Sequence, residues 1–338
     1  MEDKLEKKYG VMLLTESTLD IILQIEGDFP ILGGGTRLVK KMSLEPGGEG
    51  NIFIVFNRLG GNILPVGPLS NDHYGKFLRH SYEEQGIDIS QLRMVEGFET
   101  PVANCIIDEK GCHTFVSKLA GREFVQSEKI IELLNECKGL FVSGYHLVDD
   151  ESDFYKLDLQ LIEAAKEQGL PLFFDPGPLV NEIRKEALDK VIKNATVISL
   201  NHEEAQLLTG LTDEEKAALE LKKRTDGIVA VKSGGKGCCV ASDEECKWYP
   251  GFQVKVIDTM GAGDSFIGAL MYAWTEGFDK DTCFILANAS GAVKASKLGT
   301  GSQVPTFEEI VAILEENGYN IPKICKKTGK FTKLELGC

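Results

Sequence analysis

The sequence predicts an α/β fold: a mostly parallel central sheet with helices on both faces, carrying a small β-sheet lid. Three observations predict it. Short apolar runs alternate with amphipathic helical runs along most of the chain, the pattern of a parallel sheet covered on both faces. Two segments, about 20–45 and 98–117, break that alternation with β-rich patterns that suit a small separate sheet. Late in the chain a glycine-rich turn, Asp258 to Phe266, leads into a strongly helical stretch. One unit spanning 1–338, with the two lid segments inserted, accounts for all three.

The elements follow in order. Val11 to Leu14 is a buried strand, followed by the β-rich run Leu19 to Ile25 and a Gly/Pro-rich turn around Pro30 to Gly35. Arg37 to Leu44 alternates weakly, as an exposed strand does, and Gly47-Gly48 opens a helix from about Glu49 to Leu59. Ile63 to Val66 is a short strand and Asp72 to Gln85 a helix. Val102 to Ile107 and Cys112 to Val116, joined by Asp108-Glu109-Lys110-Gly111, form a hairpin. Beyond it, strands at Gly139 to Ser143, Pro171 to Phe174, Thr196 to Leu200 and Ile228 to Lys232 alternate with helices at Asp153 to Gln168 and Asn181 to Lys193. Gln253 to Ile257 is a strand before the glycine-rich turn, Ser265 to Thr275 the helix after it, and Thr282 to Lys297 a late helix.

Composition narrows the function classes. With 338 residues, 43% hydrophobic and 26% charged, the chain is an ordinary soluble globular protein with room for a large core. Its formal net charge of -15 repels phosphate backbones and argues against nucleic-acid or membrane partners. No apolar run is long enough for a transmembrane helix, and MEDKLEKKYG lacks the apolar region of a secretory signal. The nine cysteines show neither zinc spacing nor a C-x-x-C pair. Free thiols in a reducing cytoplasm are expected.

The chemistry lies in Asp258-Thr259-Met260-Gly261-Ala262-Gly263-Asp264-Ser265-Phe266. Gly261 and Gly263 let backbone N–H groups approach a ligand, and the helix end adds partial positive charge where an anion would sit. A carboxylate there, Asp264, is out of place beside phosphate unless it accepts a proton from an attacking hydroxyl. An acidic helix N-cap explains the same residue equally well.

The whole string closely resembles the D-T-x-G-A-G-D signature of the ribokinase-like (pfkB) kinases. The resemblance implies a ribokinase-like fold and ATP-dependent phosphoryl transfer to a primary hydroxyl of a small sugar or sugar-like acceptor, with Mg²⁺ as cofactor. It implies that Asp264 is the base, and that the N–H groups of Ala262, Gly263 and Asp264 form an anion hole in the loop holding Gly261. Gly47-Gly48 with Asn51 and Arg58-Leu59-Gly60 resembles the family's first signature, where diglycine and Asn meet the acceptor. Here the spacing to Asn51 is one residue short, and Glu49 stands where many sugar kinases have Lys or Ala. Val66-Gly67 with Asp72 and Gly75, and Thr100-Pro101-Val102-Ala103 with Asp108 and Gly111, resemble further family stretches. Asp20 matches an early acidic residue that binds acceptor hydroxyls, or is a strand-end carboxylate.

On the nucleotide side, Asn201 and Glu204 fill the family's N-x-x-E, where Glu204 would organise Mg²⁺ through water. The same two residues also describe a helix cap. Val231 to Gly237, including Lys232, Gly234 and Gly237, resembles the loop that lines ATP. Lys232 or Lys236 would add charge there, or both are solvated. Asn288 matches the Asn that approaches adenine, and Gly299 to Pro305 matches the closing loop. Some members bind a monovalent cation such as K⁺ beside the anion hole; Asp258 would be its side-chain ligand. Asp175 ends a strand at the crevice edge and is given no role. Arg37, Lys40 and Lys41 either meet a phosphorylated acceptor or protect the edge of the lid. Relatives often form a homodimer by pairing lids. Lys323 to Cys338 extend past the resemblance.

Two rival readings stand beside this one. A nucleoside acceptor would want aromatic lining, for which Phe29, Phe53 and Phe115 are candidates. A non-catalytic ligand-binding relative would have little need of Asp264. A dinucleotide-binding dehydrogenase is disfavoured, because no G-x-G-x-x-G follows the first strand.

Overall fold

The computed structural model describes residues 7–29, 31, 33–110, 112–118 and 128–320. The first strand, β1 (Tyr9–Leu14), is wholly buried. Its side chains alternate between two cores: Val11 and Leu13 enter one, Met12 and Leu14 the other. A strand with apolar residues on both faces belongs in the middle of a covered sheet.

The chain then leaves this sheet for β2 (Leu19–Ile25) and β3 (Val39–Pro46) and returns through α1 (Glu49–Arg58), β4 (Leu64–Ser70), α2 (His73–Glu84) and β5 (Leu92–Val95). A second excursion makes β6 (Val102–Ile107) and β7 (His113–Lys118). From α3 (Glu128–Leu133) onward, strands and helices alternate: β8 (Cys137–Ser143), α4 (Asp153–Glu167), β9 (Leu172–Asp175), α5 (Lys185–Asn194) and β10 (Val197–Asn201). Next come α6 (His202–Thr209), α7 (Glu214–Lys222), β11 (Ile228–Lys232), β12 (Gly237–Ala241) and β13 (Cys246–Pro250). Three helices close the described chain: α8 (Ala262–Thr275), α9 (Lys280–Ala295) and α10 (Phe307–Glu316).

The large sheet has nine strands in the order β13-β12-β11-β10-β9-β8-β1-β4-β5. It is parallel from β11 to β5, and β12 and β13 add an antiparallel edge. Phe53, Phe56, Phe266 and Phe284, from α1, α8 and α9, fill one face; Phe154, Leu161, Val191 and Leu221, from α4, α5 and α7, fill the other. The second sheet, β3-β2-β6-β7, is the lid. Its outer pairs are antiparallel, but β2 and β6 run parallel because they belong to separate excursions from the main body. The Asp108 carboxylate braces the β6–β7 turn by accepting from the N–H groups of Lys110 and Cys112; Gly111 lies outside the described residues.

Most predicted elements are present. The exceptions have physical causes. Gln253 to Ile257 is not a strand: β13 ends at Pro250, and Val256 and Ile257 are 61% and 46% exposed. The segment runs outside the sheet, where the Ile257 N–H donates to Ala295 at the end of α9. The helix expected from Asn181 starts at Lys185, because Val180–Glu182 makes a separate short turn that buries Val180. Cys105, Cys137, Cys238, Cys239 and Cys283 are buried free thiols. No helix among the described residues is long and apolar enough to cross a membrane.

Candidate active site

The strands β1, β9, β10 and β11 all run parallel, so their C-terminal ends open on one crevice, the usual ligand position in such a sheet. Asp175, Asn201 and Lys232 end three of them. The glycine-rich turn enters the same crevice.

Gly261 is the N-cap of α8 and holds φ 71, a left-handed conformation that costs glycine nothing. Asp264 is therefore the third helical residue and not the cap, and its side chain makes no capping bond. Instead it accepts from Asn51 Nδ2 at 2.9 Å. Burial raises the Asp264 pKa to about 7; Asn51 and Lys232 act to lower it, while Asp175 and Glu49 push it up. The Ala262 N–H is already spent on the Thr259 carbonyl at 3.1 Å. Gly263 and Asp264, the next two N–H groups, have no intrahelical partner.

Lys232 stands beside this turn. Its ammonium pairs with Asp175 at 2.8 Å and lies 3.5 Å from where a Cβ on Gly263 would be. Burial works to lower the Lys232 pKa, but Asp175 and Glu204 more than offset it, and the net shift is upward. Lys236, by contrast, is an exposed loop lysine paired with Glu214.

Asn51 also joins α1 to the loop after α9, accepting the Gly301 N–H at 2.7 Å. Asp20 is only 6% exposed and accepts from Thr300 Oγ1 at 2.7 Å. Burial raises its pKa to about 6, opposed by the Thr300 hydroxyl and assisted by Glu45 and Asp258. A Cβ on Gly47 would overlap the Asp20 carboxylate, and Gly48 caps α1. Asp20, Gly47, Gly48, Asn51 and Asp264 thus gather under the lid, whose Ile22, Cys105 and Ile107 pack on Met260, the residue before Gly261.

The sequence pattern at Asn201 and Glu204 is a complete capping box. The Glu204 carboxylate accepts from the Asn201 N–H at 2.8 Å and from Asn201 Nδ2 at 2.9 Å. Burial first, then Asp175, raises the Glu204 pKa to about 7. Among the described residues no cluster of three or more His, Cys, Asp or Glu is arranged to hold a metal directly. A Mg²⁺ bound here would keep several waters, as that ion prefers, and the carboxylates of Asp175 and Glu204 fit such an outer-sphere site.

The remaining expected residues have these surroundings. Asn288 donates to the carbonyls of Tyr249 and Pro250, clipping α9 to β13, so its amide N–H groups are not offered to adenine. Gly237 is required by the sheet, because a Cβ there would strike the Tyr249 carbonyl, whereas Gly234 borders open space. Phe53 is core, packed edge-on against Tyr82, and cannot line a nucleoside pocket. Lys40 pairs with Glu109 on the lid.

Four residues of the site were not assigned from sequence. Asp175 was visible only as a carboxylate at a strand end. Thr300 and Lys294 lie on the closing loop and the late helix without a motif of their own. Glu49 is buried beside the diglycine, with His146 Nε2 3.7 Å away and Asp158 at 3.1 Å on the other ring nitrogen. Burial acts to lower the His146 pKa, yet Asp158 and Glu49 hold it at about 9.

Residues 14–307 match the family model described as pfkB family carbohydrate kinase. The chain belongs to the pfkB carbohydrate kinase family. Fructokinase-1 of Oryza sativa subsp. japonica is 26% identical over 287 residues, covering 80% of this chain and 88% of the relative. The ATP-dependent ribose-1-phosphate kinase of Halopiger xanaduensis is 26% identical over 297 residues, covering 88% and 95%. The crystal structure of a ribokinase from Thermotoga maritima superposes with a TM-score of 0.76 at 27% identity, covering 91% of this chain and 99% of that one. This pfkB kinase is an ATP-dependent carbohydrate kinase, a phosphotransferase with an alcohol group as acceptor.

Proposed function

We propose that this pfkB kinase transfers the γ-phosphoryl group of ATP to a primary hydroxyl of an uncharged sugar or sugar-like acceptor, with Asp264 as the base. The observation that carries this reading is the pairing of Asn51 with Asp264 at the start of α8. A carboxylate with a pKa of about 7 is matched to taking a proton near neutrality.

In this reading the acceptor lies between Asp20, Gly47, Gly48, Asn51 and Asp264. Asp20 accepts hydrogen bonds from acceptor hydroxyls, which suits its burial and its bond from Thr300. As the attacking oxygen bonds to the γ-phosphorus, the bond from that phosphorus to the β–γ bridging oxygen breaks, ADP leaves with that oxygen, and the hydroxyl proton moves to Asp264 Oδ. The N–H groups of Gly263 and Asp264, with the Lys232 ammonium, stabilise charge on the transferring group. Mg²⁺, when bound, would neutralise phosphate charge, and Glu204 and Asp175 are the residues that would hold it. Asn201 orients Glu204, and the loop holding Gly234 borders the nucleotide. Closure of the lid over Met260 excludes water, which would otherwise accept the phosphoryl group.

An uncharged acceptor is favoured over a phosphosugar because carboxylates dominate the acceptor side: Asp20, Glu45, Glu49 and Asp258 all act on one another or on Asp264. A sugar is the reading favoured over a nucleoside, supported by the fructokinase and ribose-1-phosphate kinase relatives and by the loss of Phe53, one of three aromatic candidates, to the core.

The lid also supports a homodimer. Its edge strands β3 and β7 expose Val39, Met42, Phe115 and Val116, and an unpaired edge is a template for a second copy. Light scattering on the purified chain tests this; a monomer at all concentrations removes it.

The decisive experiment is ADP release from Mg-ATP across ribose, fructose, keto-deoxygluconate, inositol, phosphosugars and nucleosides. Strong stimulation by a neutral sugar or polyol is expected. Stimulation by phosphosugars alone would overturn the uncharged acceptor.

A further inference from the structure

Lys294, in the last turn of α9, has no solvent exposure. A buried ammonium is strongly unfavourable unless its protons are bonded. Its Nζ donates to the backbone carbonyl of Asp258 at 3.3 Å and to that of Lys297 at 3.2 Å. Its Cε lies 3.6 Å from the position a Cβ on Gly261 would take, so the side chain rests against the turn that opens α8. Burial lowers its pKa, while the charges of Asp258 and Asp264 act to raise it.

A dry position lined by peptide carbonyls and bordered by carboxylates is where a protein replaces the hydration shell of a monovalent cation. Asp258, the expected side-chain ligand of such a cation, has both carboxylate oxygens engaged, with the N–H groups of Met260 at 3.0 Å and Gly299 at 2.8 Å. Its carbonyl is taken by Lys294. The residues present therefore do not fit a free K⁺ at this place.

We propose that Lys294 is a positioning residue: a tethered cation that holds the carbonyls of Asp258 and Lys297 and thereby fixes the Gly261–Asp264 turn, so that this kinase works without potassium. The purpose of the turn rests on the kinase reading above; the place of the ammonium does not. Truncating Lys294 to alanine would leave a carbonyl-lined cavity of the kind K⁺ or NH₄⁺ fills. Lys294→Met would keep the volume filled and remove the charge.

The experiment measures thermal unfolding of wild type, Lys294→Ala and Lys294→Met in equal concentrations of potassium chloride, ammonium chloride or choline chloride. Wild type and Lys294→Met are expected to melt at the same temperature in all three salts. Lys294→Ala is expected to gain about 2 °C or more in potassium or ammonium over choline, since a ligand of the native state alone raises its stability. In the acceptor-stimulated ADP assay, wild type keeps its rate in choline. Lys294→Ala loses about 10²-fold there, the scale of a misplaced anion hole, and potassium restores most of it. A wild type whose melting temperature or rate rises in potassium overturns the proposal, as does a folded Lys294→Ala that keeps full rate in choline. If Lys294→Ala does not fold in any salt, the wild-type comparison alone decides. If no acceptor stimulates wild type, the kinase reading fails, and the melting experiment still tests the cation.

Discussion

Asn51 Nδ2 donates to Asp264 Oδ2 at 2.9 Å across 213 positions of sequence, while the Asn51 carbonyl oxygen accepts the Gly301 N–H. One amide therefore orients the candidate base and anchors the closing loop. Because the bond favours the ionised carboxylate, it lowers a pKa that burial has raised. Replacing Asn51 by alanine should move the acidic limb of the kcat/KM profile to higher pH. It should also cost about 1–3 kcal/mol of stability through the Gly301 N–H left without a partner. The check is a pH profile beside a denaturant titration; an unmoved limb would show that Asn51 does not tune the base.

In the wild-type enzyme, kcat/KM should climb about tenfold per pH unit as pH rises towards about 7 and then level off, because Asp264 acts only when ionised. The same shift has the opposite effect on the fold. The folded state holds the Asp264 proton more tightly than the unfolded chain, so its stability contribution is present at low pH. It is lost as pH rises through about 7. Asp264→Asn is thus expected to lower kcat by about 10²- to 10⁴-fold while raising the melting temperature at pH values above 7. At strongly acidic pH, with Asp264 protonated in both states, the two proteins should melt alike.

Gly263 faces the crevice, with only the Lys232 ammonium near a hypothetical Cβ. Gly263→Val should fold, since α8 tolerates a β-branched residue at a cost below about 1 kcal/mol. Its side chain would occupy the place of the transferring phosphoryl group, and kcat should fall steeply with the circular dichroism spectrum unchanged. Normal turnover would put the anion hole elsewhere.

Asp20→Ala should raise the acceptor KM by about tenfold or more, the loss of a charge-assisted hydrogen bond. The KM for ATP should stay near its wild-type value, because Asp20 bonds Thr300 on the acceptor side. Equal changes in both constants would point to a general disturbance of the closing loop.

The two-sided core of β1, the covered sheet and the lid segments were legible because burial imposes period and alternation on sequence. The antiparallel edge strands β12 and β13 were not recognised, for lack of a turn signal as strong as Asp108–Gly111. Gln253 to Ile257 misled because β-branched residues also suit an extended segment outside any ladder. At the site, Asp264 and the glycines were legible as a motif, but what surrounds them was not. Thr300 meets Asp20, and Lys294 meets Asp258, through contacts that no local spacing encodes. Asn288 shows the reverse: it stands out in the sequence as a motif position, and in the fold its amide donors serve the backbone carbonyls of Tyr249 and Pro250.

The bond from Thr300 to Asp20 joins residues 280 positions apart, which has a consequence during synthesis. A chain emerging from the ribosome presents its first strands long before the loop that completes the acceptor side. Pairing over such a separation forms late. Asp20, Asn51 and Asp264 come together only when nearly all of the polypeptide has been made. A prematurely terminated chain lacking residues 299–304 would retain Asp264 and the Gly261 turn without Asp20's partner Thr300 or the Gly301 anchor of Asn51.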